Sequence, residues 1–180
     1  MDTIKKKLFL GIFLAVTVLF CYFRLSPIID QSVPYTFDQG RDFLKVEQIV
    51  RYHNMTFIGP TTGIQGLFHG AWWYYFLAVP YFVSQAHPLG FVSFIFIISL
   101  LQYLLFSWFL KKEFSTEAAV VFASVVATSP YFISTSVFVI SSVMTLPFIL
   151  LFFYFLYRYF ENKNTKYIFL QFLSKGFVLE

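Results

Sequence analysis

The chain has 180 residues, of which 58% are hydrophobic and only 12% are charged, whereas soluble domains carry about 25% charged residues. This composition, with 27 phenylalanines and a mean hydropathy of +0.71, excludes an ordinary soluble protein and predicts an integral membrane protein. The net charge of +4 comes from lysines and arginines near the ends of apolar segments, so it indicates membrane topology and not nucleic-acid binding. The lone Cys21 excludes an intrachain disulfide.

The first apolar segment covers residues 8–25 and follows Lys5, Lys6 and Lys7. A cleaved signal peptide has the same order of charged and apolar residues. However, the bulky residues of LFCYFRLSP stand where a cleavage site needs small ones. We therefore expect a retained membrane helix with a cytoplasmic N-terminus, because cytoplasmic flanks are enriched in lysine and arginine.

The positions of later lysines decide how many of the following segments cross the membrane. If residues 71–86 and residues 88–110 both crossed, Lys111 and Lys112 would lie outside, against the usual enrichment of lysine on the cytoplasmic side. We therefore expect only residues 88–110 to cross, with residues 71–86 along the outer face. Further spans are predicted at 116–132 and 137–159, joined by a bend at TSPYFISTS, and at 167–180. The last is incomplete, since a crossing needs about 20 residues, and it indicates the front part of a longer protein.

The predicted outer loop, residues 26–87, contains the charged stretch YTFDQGRDF. Loops beyond about 15 residues are uncommon unless they are functional, so we expect this one to be organised. The spacing of apolar residues predicts an amphipathic helix over residues 40–53, followed by the loop FIGPTTGIQGLFHG and the interfacial aromatics WWYY. Its predicted apolar face is Phe43, Val46, Ile49 and Val50, and its predicted polar face is Arg41, Asp42, Lys45, Gln48 and Arg51.

Asp38 has two interpretations. It precedes the predicted helix and could be its N-cap, where backbone N–H groups would lower its pKa and make it a poorer base. It could instead take up protons as a base, and the residue types alone favour the cap. They likewise leave Arg41 and Asp42 as solvated charges, His69 as an interfacial histidine, and Glu47 with Arg51 as a surface ion pair.

The order of these features resembles the front of the GT-C superfamily of membrane glycosyltransferases. A helix is followed by the D-x-x-R-D stretch that starts at Asp38, by an amphipathic helix, by IGP…G…FHGAWWYYFLAVPYF, and by apolar helices with SPYFIS. The sequence is similar to protein O-mannosyltransferases and aminoarabinose transferases. This resemblance implies an all-α polytopic membrane protein with GT-C-like transmembrane helices, whose large first extracytoplasmic loop carries juxtamembrane helices.

The resemblance also implies an inverting transferase in a prokaryotic plasma membrane. It would move a sugar from a polyprenyl-phosphate donor to a hydroxyl of a lipid, glycan or protein acceptor at the outer face. Asp38 matches the family's catalytic base. Arg41 would make a bidentate phosphate contact, and Asp42 would orient Arg41 or help to hold a divalent metal. Residues expected to contact substrate, by stacking or along the lipid path, are His69, Trp72, Trp73, Tyr74 and Tyr75, although the aromatic residues could equally anchor the chain at the interface.

Two departures from the family pattern are present. Gly70-Ala71 stands where relatives usually have Gly-Pro, and the segment after SPYFIS lacks the arginine and the Trp-Asn pair that relatives often carry. We therefore expect another residue in that part of the site, or a different acceptor, and an inactive fragment if later helices contribute.

A transporter or flippase, a polymerase or ligase for lipid-linked glycans, and a non-catalytic membrane subunit remain as alternatives; a transporter usually needs charge within its spans.

Overall fold

The apolar segments fold into helices in the computed structural model, which describes residues 3–62, 64–141 and 145–179. Helix makes up 77% of this structure. Within the described ranges the elements are α1 (Thr3–Ile29), α2 (Phe37–Tyr52), β1 (Ile58–Thr61), β2 (Phe68–Gly70), α3 (Trp72–Ser84), α4 (Pro88–Glu113), α5 (Thr116–Thr128), α6 (Pro130–Thr135), α7 (Thr145–Asn162) and α8 (Thr165–Leu179).

Two helices are long and apolar enough to cross a membrane, over Ile4–Ile29 and Pro88–Glu113. α1 has 27 residues and a length of about 40 Å, more than the roughly 30 Å of a bilayer core. α3 has 13 residues and a length of about 20 Å, which is too short for a perpendicular crossing. α5 is also a short apolar helix of 13 residues.

Several helix boundaries differ from the predicted ones. α1 continues past residue 25 to Ile29, with Pro27 inside it. The span predicted at 116–132 is interrupted at Ser129, because Pro130 cannot donate a backbone hydrogen bond and starts a new helix instead. The span predicted at 137–159 begins as α7 only at Thr145; residues 142–144 of that prediction, like residue 180 of the last span, lie outside the described residues.

The predicted helical class is confirmed for most of the structure, but the stretch FIGPTTGIQGLFHG, predicted as a Gly/Pro-rich loop, contains a two-stranded antiparallel ribbon. β1 pairs with β2, with Ile58 opposite Gly70 and Thr61 opposite Phe68. A Cβ atom on Gly59 would overlap the backbone carbonyl groups of His69 and Gly70. Glycine is therefore needed at residue 59 because the partner strand approaches too closely for any side chain.

The chain divides into two compact units. In the described part of the chain, unit 1 contains residues 3–35 and 84–139, with α1 packed against α4 and α5. The ring of Tyr103 stacks on that of Phe20 at a centroid distance of 4.4 Å, and its hydroxyl lies 2.9 Å from Thr17 Oγ1. α5 has three small buried residues at four-residue spacing, Ala119, Ala123 and Ala127. These small side chains let α1 and α4 approach α5 closely.

The contacts in unit 1 fix the directions of its helices. α1 and α4 run antiparallel, since Phe13 contacts Tyr103 whereas Phe20 also contacts Phe96, an earlier residue of α4. As a result Lys6, near the start of α1, and Lys111, near the end of α4, line the same cavity.

Arg24 is a buried charge inside α1, at a position that the predicted span placed at its end. Its side chain is 1% exposed, and its guanidinium carbon lies 3.8 Å from the ring centroid of Phe20. Nη2 donates to the carbonyl oxygens of Val126 at 2.8 Å and of Phe132 at 3.1 Å. Nη1 donates to the carbonyl of Ala127 at 3.5 Å. Arg24 therefore satisfies carbonyl groups at the C-terminus of α5, where the helix itself provides no donors.

Replacing Arg24 with methionine is expected to destabilise unit 1 by about 3 kcal/mol, because hydrogen bonds from a charged group are lost and buried carbonyl groups lose their donors. Unfolding in detergent, followed by the loss of helical circular dichroism, measures this change. Arg51→Met provides the control, since that side chain is 58% exposed and should contribute little. Equal effects of the two substitutions would contradict the role assigned to Arg24.

Unit 2 contains α2, the ribbon, α3, α7 and α8. α7 packs against α8, and the ring of Trp72 on α3 contacts that of Phe148 on α7 at a centroid distance of 5.9 Å. The buried residues of α2 are Gln39, Asp42, Val46 and Ile49. Asp42 thus lies on the buried face of α2, and its placement on the polar face was wrong.

Candidate functional site

The N-terminus of α2 is capped by Thr36, and the interpretation of Asp38 as the cap is wrong. Thr36 Oγ1 accepts a hydrogen bond from the backbone N–H of Gln39 at 3.4 Å. In return, Gln39 Oε1 accepts one from the backbone N–H of Thr36 at 2.7 Å, which completes a capping box. The helix therefore begins at Phe37, and Asp38 lies in its first turn with its side chain 61% exposed.

Arg41 lies between the two carboxylates of the D-x-x-R-D stretch. Its Nη1 is 3.0 Å from Asp38 Oδ1 and donates to Thr61 Oγ1 of β1 at 2.9 Å. Its Nε and Nη2 both donate to Asp42 Oδ1 at 2.9 Å. Asp38 Oδ2 has no hydrogen-bond partner among the described residues. The cluster therefore presents one occupied and one available oxygen on the exposed carboxylate.

Asp42 is the buried anchor of this cluster. Its side chain is 2% exposed, and its Oδ2 accepts a hydrogen bond from Trp73 Nε1 of α3 at 2.8 Å. Burial raises the pKa of Asp42, although the hydrogen bonds from Trp73 and Arg41 oppose that rise. Asp42 thus joins α2 to α3 and holds the guanidinium of Arg41 in one orientation. We name Asp38, Arg41, Asp42 and Trp73 the acid–arginine cluster.

The expected aromatic contacts divide between the cluster and the scaffold. Tyr74 is buried, and both this burial and the negative charge of Asp42 raise its pKa, so it remains a neutral phenol. Tyr75 instead fixes the loop before β1, since its hydroxyl donates to the carbonyl of Thr56 at 2.8 Å. Trp73 is 0% exposed, which excludes stacking of its ring on a sugar.

The remaining residues predicted to contact substrate, Trp72 and His69, are part of the protein scaffold. Trp72 packs its ring against Phe148 and Phe76. His69 is half-buried on β2, directly after Phe68, the residue that pairs with Thr61. The predicted ion pair between Glu47 and Arg51 is confirmed, with a distance of 2.9 Å on the outer part of α2.

The geometry of the cluster fits the expected proton acceptance but not the expected bidentate phosphate contact or metal binding. Its exposed carboxylate can accept a proton, and the adjacent guanidinium supplies positive charge. The bidentate phosphate contact expected of Arg41 does not fit, because Asp42 occupies its Nε–Nη2 edge and its Nη1 already contacts Asp38 and Thr61. Both oxygens of Asp42 accept hydrogen bonds, which favours its orienting role over metal binding. No three His, Cys, Asp or Glu side chains cluster in the part of the chain that the structure describes.

Two residues of the site, Thr36 and Thr61, were missed at the level of sequence, and Trp73 was expected to contact substrate, whereas its indole N–H binds Asp42. The pair Thr36 and Gln39 has the spacing of a capping box, and this pattern could have identified the helix start. The four-residue step from Asp42 to Val46 likewise places the carboxylate on the apolar face. The contacts of Thr61 and Trp73 with α2 join elements distant in sequence, and no local pattern indicates them.

Comparison of the chain with models of known protein families, with curated proteins and with solved structures found no match.

Proposed function

We propose that this protein is a membrane glycosyltransferase that resembles the GT-C superfamily and uses Asp38 as its catalytic base. The observation that carries the proposal is the acid–arginine cluster. An exposed carboxylate with an available oxygen lies beside a guanidinium that a buried carboxylate holds in place, and an indole N–H donates to that buried carboxylate. An ordinary surface ion pair does not require a buried charge behind it, since burying a charge is costly unless it is well paired.

The proposed topology follows from chain order and from the lysines. Lys5, Lys6 and Lys7 lie in the first two turns of α1, and Lys111 and Lys112 lie in the last turn of α4. The antiparallel packing of these helices therefore supports placing all five lysines on the cytoplasmic side. The cluster follows α1 in the chain and would then lie at the outer face. At the outer face of the membrane, the cluster would lie next to the lipid-linked donor.

The reaction would be a single displacement at the anomeric carbon of a polyprenyl-phosphate sugar. The acceptor hydroxyl attacks that carbon while Asp38 Oδ2 takes its proton, and the bond from the anomeric carbon to the phosphate oxygen breaks. The products are the glycoside, the polyprenyl phosphate and protonated Asp38, which returns its proton to water. The guanidinium of Arg41 would supply positive charge near the departing phosphate, and Asp42 would hold it in one orientation.

A transporter of lipid-linked sugars is the alternative. Arg24 is a charge inside α1, and charges inside spanning helices often mark transport pathways. Its Nη1 and Nη2 nevertheless donate to backbone carbonyls of its own unit, which favours a structural role.

The full-length protein in liposomes distinguishes these functions. A panel of radiolabelled polyprenyl-phosphate sugars is supplied with membrane extract as the source of acceptor, and formation of a glycoside is measured alongside movement of the labelled lipid between leaflets. We expect a glycoside to form with at least one donor, without movement of the lipid. Movement without glycoside formation would contradict the proposal and support a transporter.

A further inference from the structure

Unit 1 contains a cavity of about 620 Å³ between α1, α4 and α5. Its walls are largely apolar or aromatic and include Phe9, Phe13, Leu104 and Trp108. The volume falls within the range of roughly 300–1,000 Å³ that is typical of small-molecule sites. The cavity belongs to unit 1, whereas the acid–arginine cluster belongs to unit 2, so it is a separate candidate site.

Four polar side chains line this apolar cavity, namely those of Lys6, Ser107, Lys111 and Thr116. Ser107 is only 3% exposed, and its Oγ makes no hydrogen bond with any residue in the described ranges. Lys6 and Lys111 come from the start of α1 and the end of α4, and both are exposed. A buried hydroxyl without a partner is unusual in proteins and indicates that something else supplies one.

The acidic residues near these lysines have other basic neighbours. Glu113 lies 3.9 Å from Lys112, and Glu117 interacts electrostatically with Lys5. Within the described residues, neither Lys6 nor Lys111 forms an ion pair. Two cations therefore remain available where the apolar cavity meets the lysine-rich end of the unit.

We propose that this cavity binds an anionic phospholipid of the cytoplasmic leaflet. The phosphate would lie between Lys6 and Lys111, an acyl chain would contact the aromatic wall, and Ser107 would donate to an oxygen of the glycerol ester. Charge complementarity selects this ligand, because basic pockets between membrane helices on the cytoplasmic side attract anionic headgroups. The proposal depends on the membrane embedding proposed above but not on glycosyl transfer.

Photolabelling of the full-length protein tests this site. The protein is reconstituted in phosphatidylcholine vesicles that contain a small fraction of phosphatidylglycerol with a photoreactive acyl chain. Mass spectrometry then measures labelling of the peptides around Phe13 and Trp108. A phosphatidylcholine probe with the same photoreactive chain measures contact with bulk lipid.

We expect the phosphatidylglycerol probe to label these peptides, and the double substitution Lys6→Gln with Lys111→Gln to reduce the labelling about tenfold. The matched control is Lys7→Gln with Lys112→Gln, which removes the same charge from residues that do not line the cavity and should leave labelling unchanged. Leu104→Trp should reduce labelling by filling the cavity while both lysines remain.

Three results would overturn the proposal. Equal labelling by the two probes would show contact with bulk lipid only. Labelling that is insensitive to Lys6 and Lys111 would separate the lysines from the ligand. Absence of labelling at both peptides would show that another segment of the protein, or a second copy, covers the cavity.

Discussion

Asp38→Asn is expected to lower the rate of sugar transfer by roughly 100- to 10,000-fold, the usual contribution of a positioned general base. Asparagine has nearly the same shape, but its amide cannot accept the proton of the acceptor hydroxyl. The side chain of Asp38 is 61% exposed and does not cap α2, so the substitution should leave the fold intact. Initial rates of transfer in liposomes, at equal amounts of folded protein, measure the loss.

The matched control for Asp38 lies on the same helix. Glu47 forms an exposed ion pair with Arg51, so Glu47→Gln removes one carboxylate and one ion pair from α2 without affecting the cluster. We expect Glu47→Gln to retain transfer within about twofold, since exposed ion pairs contribute little. A loss shared equally by both variants would assign the effect to the stability of α2 and not to catalysis.

Asp42→Ala is expected to destabilise the protein by about 3–5 kcal/mol, the usual cost of removing one partner of a buried ion pair. The substitution leaves the indole N–H of Trp73 and part of the guanidinium of Arg41 without an acceptor. Asp42→Asn should be less destabilising, because its amide oxygen can still accept from Trp73. Chemical unfolding in detergent, followed by tryptophan fluorescence, measures both changes.

Glu47→Ala serves as the reference for Asp42→Ala, because it also removes an acidic partner of an arginine on α2. Glu47 and Arg51 are 31% and 58% exposed, so this change should cost less than about 1 kcal/mol. If Asp42→Ala proved no more destabilising than Glu47→Ala, Asp42 would be a solvated charge and the cluster would lack its anchor.

Features set by local composition were predictable from the sequence. α1 and α4 are long uninterrupted apolar segments, and a proline fixes the break at Ser129 within the predicted bend. The Glu47–Arg51 pair follows from helical spacing alone. In these cases the information lies within one or two turns of helix.

Features set by contacts between distant segments were not predictable. The ribbon depends on the approach of β2 to Gly59, while glycine and proline in sequence indicated only a loop. The burial of Asp42 depends on Trp73, 31 residues later in the chain. The start of α2 was predicted incorrectly for a different reason. Thr36 and Asp38 are both good capping residues, and only the glutamine that follows Thr36 at the capping-box spacing distinguishes them.

The anomeric configuration of the product tests most directly whether Asp38 acts as a base. Loss of transfer in Asp38→Asn does not separate a base from a carboxylate that attacks the sugar itself, because both roles need the same oxygen. A single displacement assisted by a base inverts the anomeric carbon, whereas two displacements through a covalent intermediate retain its configuration. We expect nuclear magnetic resonance of the isolated glycoside to show inversion relative to the donor, and retention would contradict the assigned role of Asp38.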